Sequence, residues 1–163
     1  ARELSGVLLG EHGLLGPCDK DTGRGLLPLD EVWGLWNRAR GVALVSPKLL
    51  RAAVTYLPDM TSPSVRLRTL RSGTPILYTP RFDDAAIEER VLRYLDEAPF
   101  LTTTQIAALE GISVPLMREL LDGVEQHTGA MVRDECGTRE TRWCRNRIVT
   151  MAAGPRKSSC IVP

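Results

Sequence analysis

LDEVWGLWNRARGVALVSPKLLRAAVTYL, residues 29–57, decides the fold. Leu29, Val32, Trp33 and Trp36 recur at i, i+3, i+4 and i+7, which places them on one stripe of a helix. Asp30 and Glu31 open that helix, Arg38 and Arg40 close it, and Gly41 follows. The charges complement the helix dipole at both ends, and the glycine supplies the left-handed residue that ends many helices. A second helix begins at Ser46-Pro47, a side-chain cap followed by a ring already set at helical φ. Leu50, Ala53, Val54 and Leu57 continue its buried face, and Pro58 is expected to stop it. The segment predicts a helix-turn-helix. Such a motif can place a helix in a nucleic-acid groove or frame protein contacts, and the fold alone does not choose.

Working outward, Leu4, Val7 and Leu8 share one face of a short first helix over residues 1–9. Residues 10–25 are rich in glycine and charge, carry Cys18, and read as a loop. Beyond the helix-turn-helix, Val65-Arg66-Leu67-Arg68 alternates apolar and basic, the period of a half-buried strand. Ser72-Gly73 turns the chain and residues 75–79 return as a second strand. Three helices followed by a hairpin is the order of a winged helix.

The same order then recurs. Ile87, Val91, Tyr94 and Leu95 mark a helix over residues 83–97, stopped by Pro99. Thr102 with Gln105 is a capping box for a helix running to Gly111. Ser113 caps a third helix with Leu116, Leu120, Leu121 and Val124 inward, and strands are expected over 130–132 and 142–151 around a turn at 135–138. The reading is an α+β, mainly helical chain with two tandem winged-helix domains, residues 1–80 and 84–151, and a disordered tail over 152–163. A junction as short as 81–84 favours packing of one domain on the other.

The 163 residues are 43% hydrophobic, 25% charged and only 5% aromatic, so aliphatic side chains must fill the core. A net charge of +1 provides no strong field for nucleic acid. No apolar run approaches the roughly 20 residues of a membrane span. The first residue is Ala1 and no signal-peptide pattern follows, as expected of a piece of a longer protein. Cys18, Cys136, Cys144 and Cys160 form no CxxC pair, and His12 and His127 are isolated, so no zinc site is expected. Cys136 and Cys144 could face each other across a hairpin, but reduced cysteines and an intracellular setting are the expectation. Nucleophile elbows, phosphate loops and histidine–carboxylate motifs are missing, and Asp83-Asp84 with Glu88-Glu89 reads as dipole-favouring charge at a helix start. The expectation is a non-enzyme without cofactors. Cys160-Ile161-Val162-Pro163 outlines a prenylation box but ends on proline, outside the usual set, and reads as an incidental tail cysteine.

Two functions compete for the winged helices. Lys48 and Arg51 on the second helix, with Arg66, Arg68 and Arg71 on the wing, could contact phosphates of DNA, as in a tandem winged-helix transcription regulator. The equivalent helix of the second half weighs against DNA: it offers Glu119, Asp122 and Glu125 against Arg118. Trp143, flanked by Arg142 and Arg145 elsewhere in that half, reads by default as core, although an aromatic among arginines is also the composition of a protein-interface anchor.

Taken together, Asp30-Glu31-Val32-Trp33, the NRARG of residues 37–41, Leu44-Val45-Ser46-Pro47, the FLTTTQIAALEGISVPL run of residues 100–116, Val132-Arg133-Asp134 and Arg142-Trp143 form a familiar set. The chain over residues 1–151 resembles the C-terminal region of the vacuolar protein sorting-associated protein 36 family, GLUE-domain subunits of the ESCRT-II complex. The resemblance implies a non-catalytic scaffold for multivesicular-body cargo sorting, cytoplasmic and recruited to the endosomal membrane through a GLUE domain upstream. It implies a sister winged-helix subunit packed on both domains, and a small winged-helix subunit docked on the second through a proline–aromatic segment. In the family an acidic residue near the first strand of that wing pairs with a base on the small subunit. The matching position is Asp134, with Glu135 beside it, so Asp134, Glu135, Arg142 and Trp143 become the candidate partner-binding residues. Cys144-Arg145 departs from the aromatic and proline expected there, and the loop over 10–25 is longer than usual.

Overall fold

In the computed structural model, which describes residues 1–10, 13–15, 25–41, 43–62, 64–135 and 140–148, the central stretch forms α2 (Leu29–Arg40) and α3 (Pro47–Val54). Gly41 ends α2 at φ 61°, and the Ser46 hydroxyl caps α3 by accepting the Leu49 N–H at 3.2 Å. The turn between them is clipped onto α2 through one residue. Asn37, buried, accepts the Val45 N–H at 2.7 Å and donates to the Val45 carbonyl at 3.3 Å, while Trp33 Nε1 donates to that carbonyl at 2.7 Å. Trp33 therefore stands half out of the stripe and Asn37 takes a buried place beside Trp36. One expectation is corrected: α3 does not run to Leu57. The chain bends at Thr55-Tyr56 and Leu57–Met60 forms a separate turn, α4, in which Pro58 starts a helix rather than stopping one.

α1 (Arg2–Leu9) precedes this unit, and β2 (Arg66–Thr69) and β3 (Pro75–Tyr78) follow it as the wing, turned at Gly73 with φ 86°. A third strand, β1 (Leu26–Pro28), was not foreseen; three residues carry no readable period. It pairs antiparallel with β3, Leu26 opposite Tyr78, so the sheet order is β1-β3-β2. In β2 the expected alternation is inverted: Leu67 is exposed, while Arg68 is half-buried against the Tyr78 ring at 4.9 Å.

A 3-10 turn at Pro80–Phe82 leads into α5 (Asp84–Glu97), followed by β4 (Leu101–Thr102), α6 (Thr103–Glu110), α7 (Val114–Thr128), β5 (Met131–Asp134) and β6 (Arg142–Arg145). The Thr102–Gln105 capping box is present in both directions. The second sheet runs β4-β6-β5, the same plan as the first. β6 is four residues rather than the expected ten, because Asn146 closes it: its N–H donates to the Ala130 carbonyl at 2.8 Å, its amide nitrogen to the Gly129 carbonyl at 2.7 Å, and its side-chain oxygen accepts the Ile148 N–H. Cys18, Cys136, Cys160, the turn at 136–138, most of the loop over 10–25 and the tail 152–163 lie outside the described residues.

The core explains how the halves meet. Leu77 points with Leu4, Leu8, Val32, Trp36, Leu50, Val54 and Leu57 into one apolar cluster. Its neighbours Ile76 and Tyr78 join a second cluster with Leu26 and Phe82, packed against Ile87, Val91, Leu121 and Trp143. Successive side chains of a strand face opposite ways, so β3 is buried on both sides and its sheet is the wall shared by two helical layers. Polar contacts rim that wall: Arg68 pairs with Asp84 at 2.6 Å, Arg66 with Asp83 at 3.6 Å, the Ser72 N–H donates to Glu119 at 3.1 Å, and Arg71 donates to Gln126. Gly25 sits at the edge with φ 53°, where a Cβ would stand 2.6 Å from the Phe82 ring.

Candidate partner-docking surface

Antiparallel register sorts the residues of the second sheet by face. Asp134 lies opposite Arg142 and Val132 opposite Cys144, on one side; Met131, Arg133, Trp143 and Arg145 lie on the other. The Trp143 side is the core side. Its indole is fully buried and donates to Thr103 Oγ1 at 3.0 Å, which satisfies the one polar atom of the ring. The partner-anchor expectation for Trp143 is thereby corrected: the ring packs inside the second half, and only the residues flanking it reach the surface.

Asp134, Glu135 and Arg142 do gather at one end of the sheet. Asp134 and Glu135 are exposed, and Glu135 faces Arg118 at 3.7 Å. Arg142 lies 4.5 Å over the ring of Phe100, which is itself exposed. Thr102 pairs with Arg142 in the β4–β6 register, so Phe100, two residues earlier, falls on that same outer face. Phe100 and Val132 are thus interface candidates that sequence reasoning missed. The signal was the unrecognised strand β4, without which Pro99-Phe100 reads as a helix stop. Together they make an apolar patch framed by one base and two acids, the composition of a protein-binding face.

The acidic residues that argued against DNA are engaged internally. Asp122 and Glu125 pair with Arg133 at 3.2 and 3.4 Å, and Glu119 holds the tip of the first wing. The wing arginines that argued for DNA are engaged too, with Asp83, Asp84 and Gln126.

A second charged cluster lies under the junction. Glu110, its side chain inaccessible, accepts both Arg90 Nε and Nη2 at 2.9 Å and the Tyr94 hydroxyl at 3.0 Å, with Arg81 at 3.6 Å. Burial pushes its carboxyl upward, but the Arg90 hydrogen bonds and charge, Tyr94 and Arg81 outweigh it and hold the acid below its ordinary value. Burial and the adjacent Glu110 charge push the Tyr94 hydroxyl up. Arg90 also donates to the Arg81 carbonyl at 2.7 Å, so the cluster ties the junction backbone to α6. Among the described residues no group of three or more histidines, cysteines or acids could hold a metal ion, and no helix is long and apolar enough to cross a membrane.

The sequence model of the EAP30/Vps36 family matches residues 1–135. The chain belongs to that family. Within the EAP30/Vps36 family, vacuolar protein-sorting-associated protein 36 of Rattus norvegicus is 33% identical over 138 residues, 83% of this chain and 32% of that protein. The Drosophila melanogaster protein of the same name is 35% identical over 122 residues, 75% of this chain and 29% of that one. The chain thus spans about a third of the length of these curated relatives. A chain in the solved structure of the ESCRT-II endosomal trafficking complex shares the fold, with a TM-score of 0.54 and 14% identity over 75% of both chains. The fold is therefore that of an α+β, mainly helical EAP30/Vps36 chain with tandem winged helices.

Proposed function

We propose that this chain is the tandem winged-helix part of a non-catalytic scaffold subunit of ESCRT-II, acting in endosomal cargo sorting, with residues 1–80 and 84–151 as its two domains. Family membership supports the reading most directly, since relatives in that family are named for vacuolar protein sorting. In this reading the partners are a sister winged-helix subunit and a small winged-helix subunit. The small one docks on the outer face of the second sheet, where Phe100 and Val132 supply apolar contact and Asp134, Glu135 and Arg142 fix its orientation, with Trp143 holding the sheet rigid from behind. The protein works in the cytoplasm and reaches the endosomal membrane through a GLUE domain upstream of this chain. The internal use of the wing arginines favours this role over DNA binding.

Co-purification with the other two ESCRT-II subunits tests it. The expected result is one co-eluting assembly that persists in high salt, with Asp134→Lys weakening capture of the small subunit by about tenfold or more. Elution of the chain alone, with a shift of random duplex DNA at low salt, would refute it.

A further inference from the structure

The first sheet has an open edge where the second has a closed one. In an antiparallel ladder, successive residues turn their N–H and C=O groups alternately toward the partner strand and away from it. The Leu70 N–H donates to the Thr74 carbonyl at 2.9 Å, so in register Arg66 and Arg68 bond to Tyr78 and Ile76 of β3. The intervening residues of β3 bond to β1 instead, beginning with the Thr79 N–H on the Gly25 carbonyl at 2.9 Å. Leu67 and Thr69 therefore turn their backbone groups outward, on the outer strand of the order β1-β3-β2. Among the described residues nothing bonds to those groups. Both residues are exposed, Leu67 at 42%.

β5 holds the same place in the second sheet. Arg133 lies opposite Trp143, which also pairs with Leu101, just as Leu67 lies opposite Leu77, which also pairs with Leu27. The Arg133 N–H points outward too, but Glu125 Oε1 accepts it at 3.0 Å, and Asp122 and Glu125 hold the guanidinium at 3.2 and 3.4 Å. α7 can supply both acids because it runs unbroken from Val114 to Thr128. α3 stops at Val54. Counted from the two N-caps, Ser46 and Ser113, the places of Asp122 and Glu125 fall to Thr55 and Pro58, and neither has a carboxylate. The bend after α3 thus leaves β2 without the closure that β5 has, and an edge left bare is a template for pairing.

We propose that the edge of β2 takes up an extended strand from a partner subunit, with an aliphatic side chain laid beside Leu67. Donors and acceptors that alternate at strand spacing are complementary to another extended backbone, and main-chain bonds of this kind join many partners to sheets. The occupant needs no acid, because Arg66 and Arg68 already have Asp83 and Asp84. A second copy of the chain fits poorly: antiparallel pairing of two β2 strands about Leu67 or Arg68 sets arginine opposite arginine. The contact is separate from the outer face of the second sheet. It rests on the reading of the chain as an assembly subunit and goes beyond it in naming a second surface and the form of its occupant.

The test compares the full chain alone with the same chain assembled with the other two ESCRT-II subunits, by residue-resolved exchange of amide hydrogen for deuterium. In the chain alone, Leu67 and Thr69 should exchange freely while Arg68, bonded to β3, is slow. In the assembly, Leu67 and Thr69 should slow by about tenfold or more. Leu67→Pro removes the outward N–H and no bond of the β2–β3 ladder, a position where an edge strand accepts proline. It should weaken assembly by about tenfold, whereas Leu67→Val should assemble as wild type. Unchanged exchange of Leu67 and Thr69 in a wild-type assembly overturns the edge and leaves the subunit reading intact. Protection already present in the dilute isolated chain overturns it in favour of a segment of the same chain, and protection that rises with concentration overturns it in favour of a second copy. Failure of the wild type to assemble overturns the subunit reading and the edge with it.

Discussion

Replacing Glu110 with Gln should be among the most damaging single changes in the second half. The side chain is inaccessible to solvent and takes two hydrogen bonds from Arg90 and one from Tyr94, with Arg81 nearby. The amide keeps the shape but removes the charge, and leaves the largely buried Arg90 without its counter-ion. Removing one member of a buried ion pair costs about 3–5 kcal/mol. For a chain of this length each kcal/mol moves the melting temperature by about 2–4 °C, so a fall of about 6 to 20 °C is expected. The pH profile supplies a second reading. The Glu110 carboxyl is held below its ordinary value of 4.5, so the unfolded chain takes up the proton more readily than the folded one. Its contribution is complete above that ordinary value and disappears as the pH falls through the lower folded value. Wild type should therefore lose stability below pH 4.5 more steeply than Glu110→Gln, as measured by urea unfolding across an acid series. Replacing both partners, Arg90→Met with Glu110→Met, should recover most of the loss, since apolar groups of similar size substitute for buried pairs. A single-mutant cost below about 1 kcal/mol, or superimposable acid profiles, would refute the assignment.

Other substitutions separate framework from surface. Asn37→Ala leaves the Val45 N–H unsatisfied in the turn between α2 and α3, and should cost about 1–3 kcal/mol in urea unfolding. Trp143→Ala should cost about 3–5 kcal/mol, because the ring is wholly buried; an unchanged unfolding midpoint would return Trp143 to the surface role. Arg68→Ala removes the pair with Asp84 and the stacking on Tyr78, so amides of β2 and the first turn of α5 should exchange faster with deuterium while those of α1 do not.

Helical periods, caps and glycine stops were legible because each is a local property. Leu29 to Trp36, Ser46-Pro47 and the Thr102–Gln105 box all sit where the pattern puts them. Strands β1 and β4 were not legible, since two or three residues become a strand only when a distant partner presents its edge. The inversion at Leu67 and Arg68 has the same cause: the second half covers the arginine and leaves the leucine bare. In the candidate surface, the acids at 134 and 135 came from resemblance. Composition left Trp143 open between its default place in the core and an interface anchor, because only the β5–β6 register decides which face it takes, and Phe100 was invisible until β4 placed it under Arg142.

The placement of β3 at the centre of its sheet also sets an order of assembly. Leu26 must find Tyr78 across an interval of the chain that contains α2, α3 and the whole wing, so the first sheet cannot close until that interval has been made and ordered. Ile76 and Tyr78 then offer an apolar wall that stays wet until α5 and α7 arrive to cover it. During synthesis the growing chain is therefore at greatest risk of aggregation after Tyr78 and before Trp143, and a pause or truncation in that interval would expose a sticky, half-built sheet to chaperones.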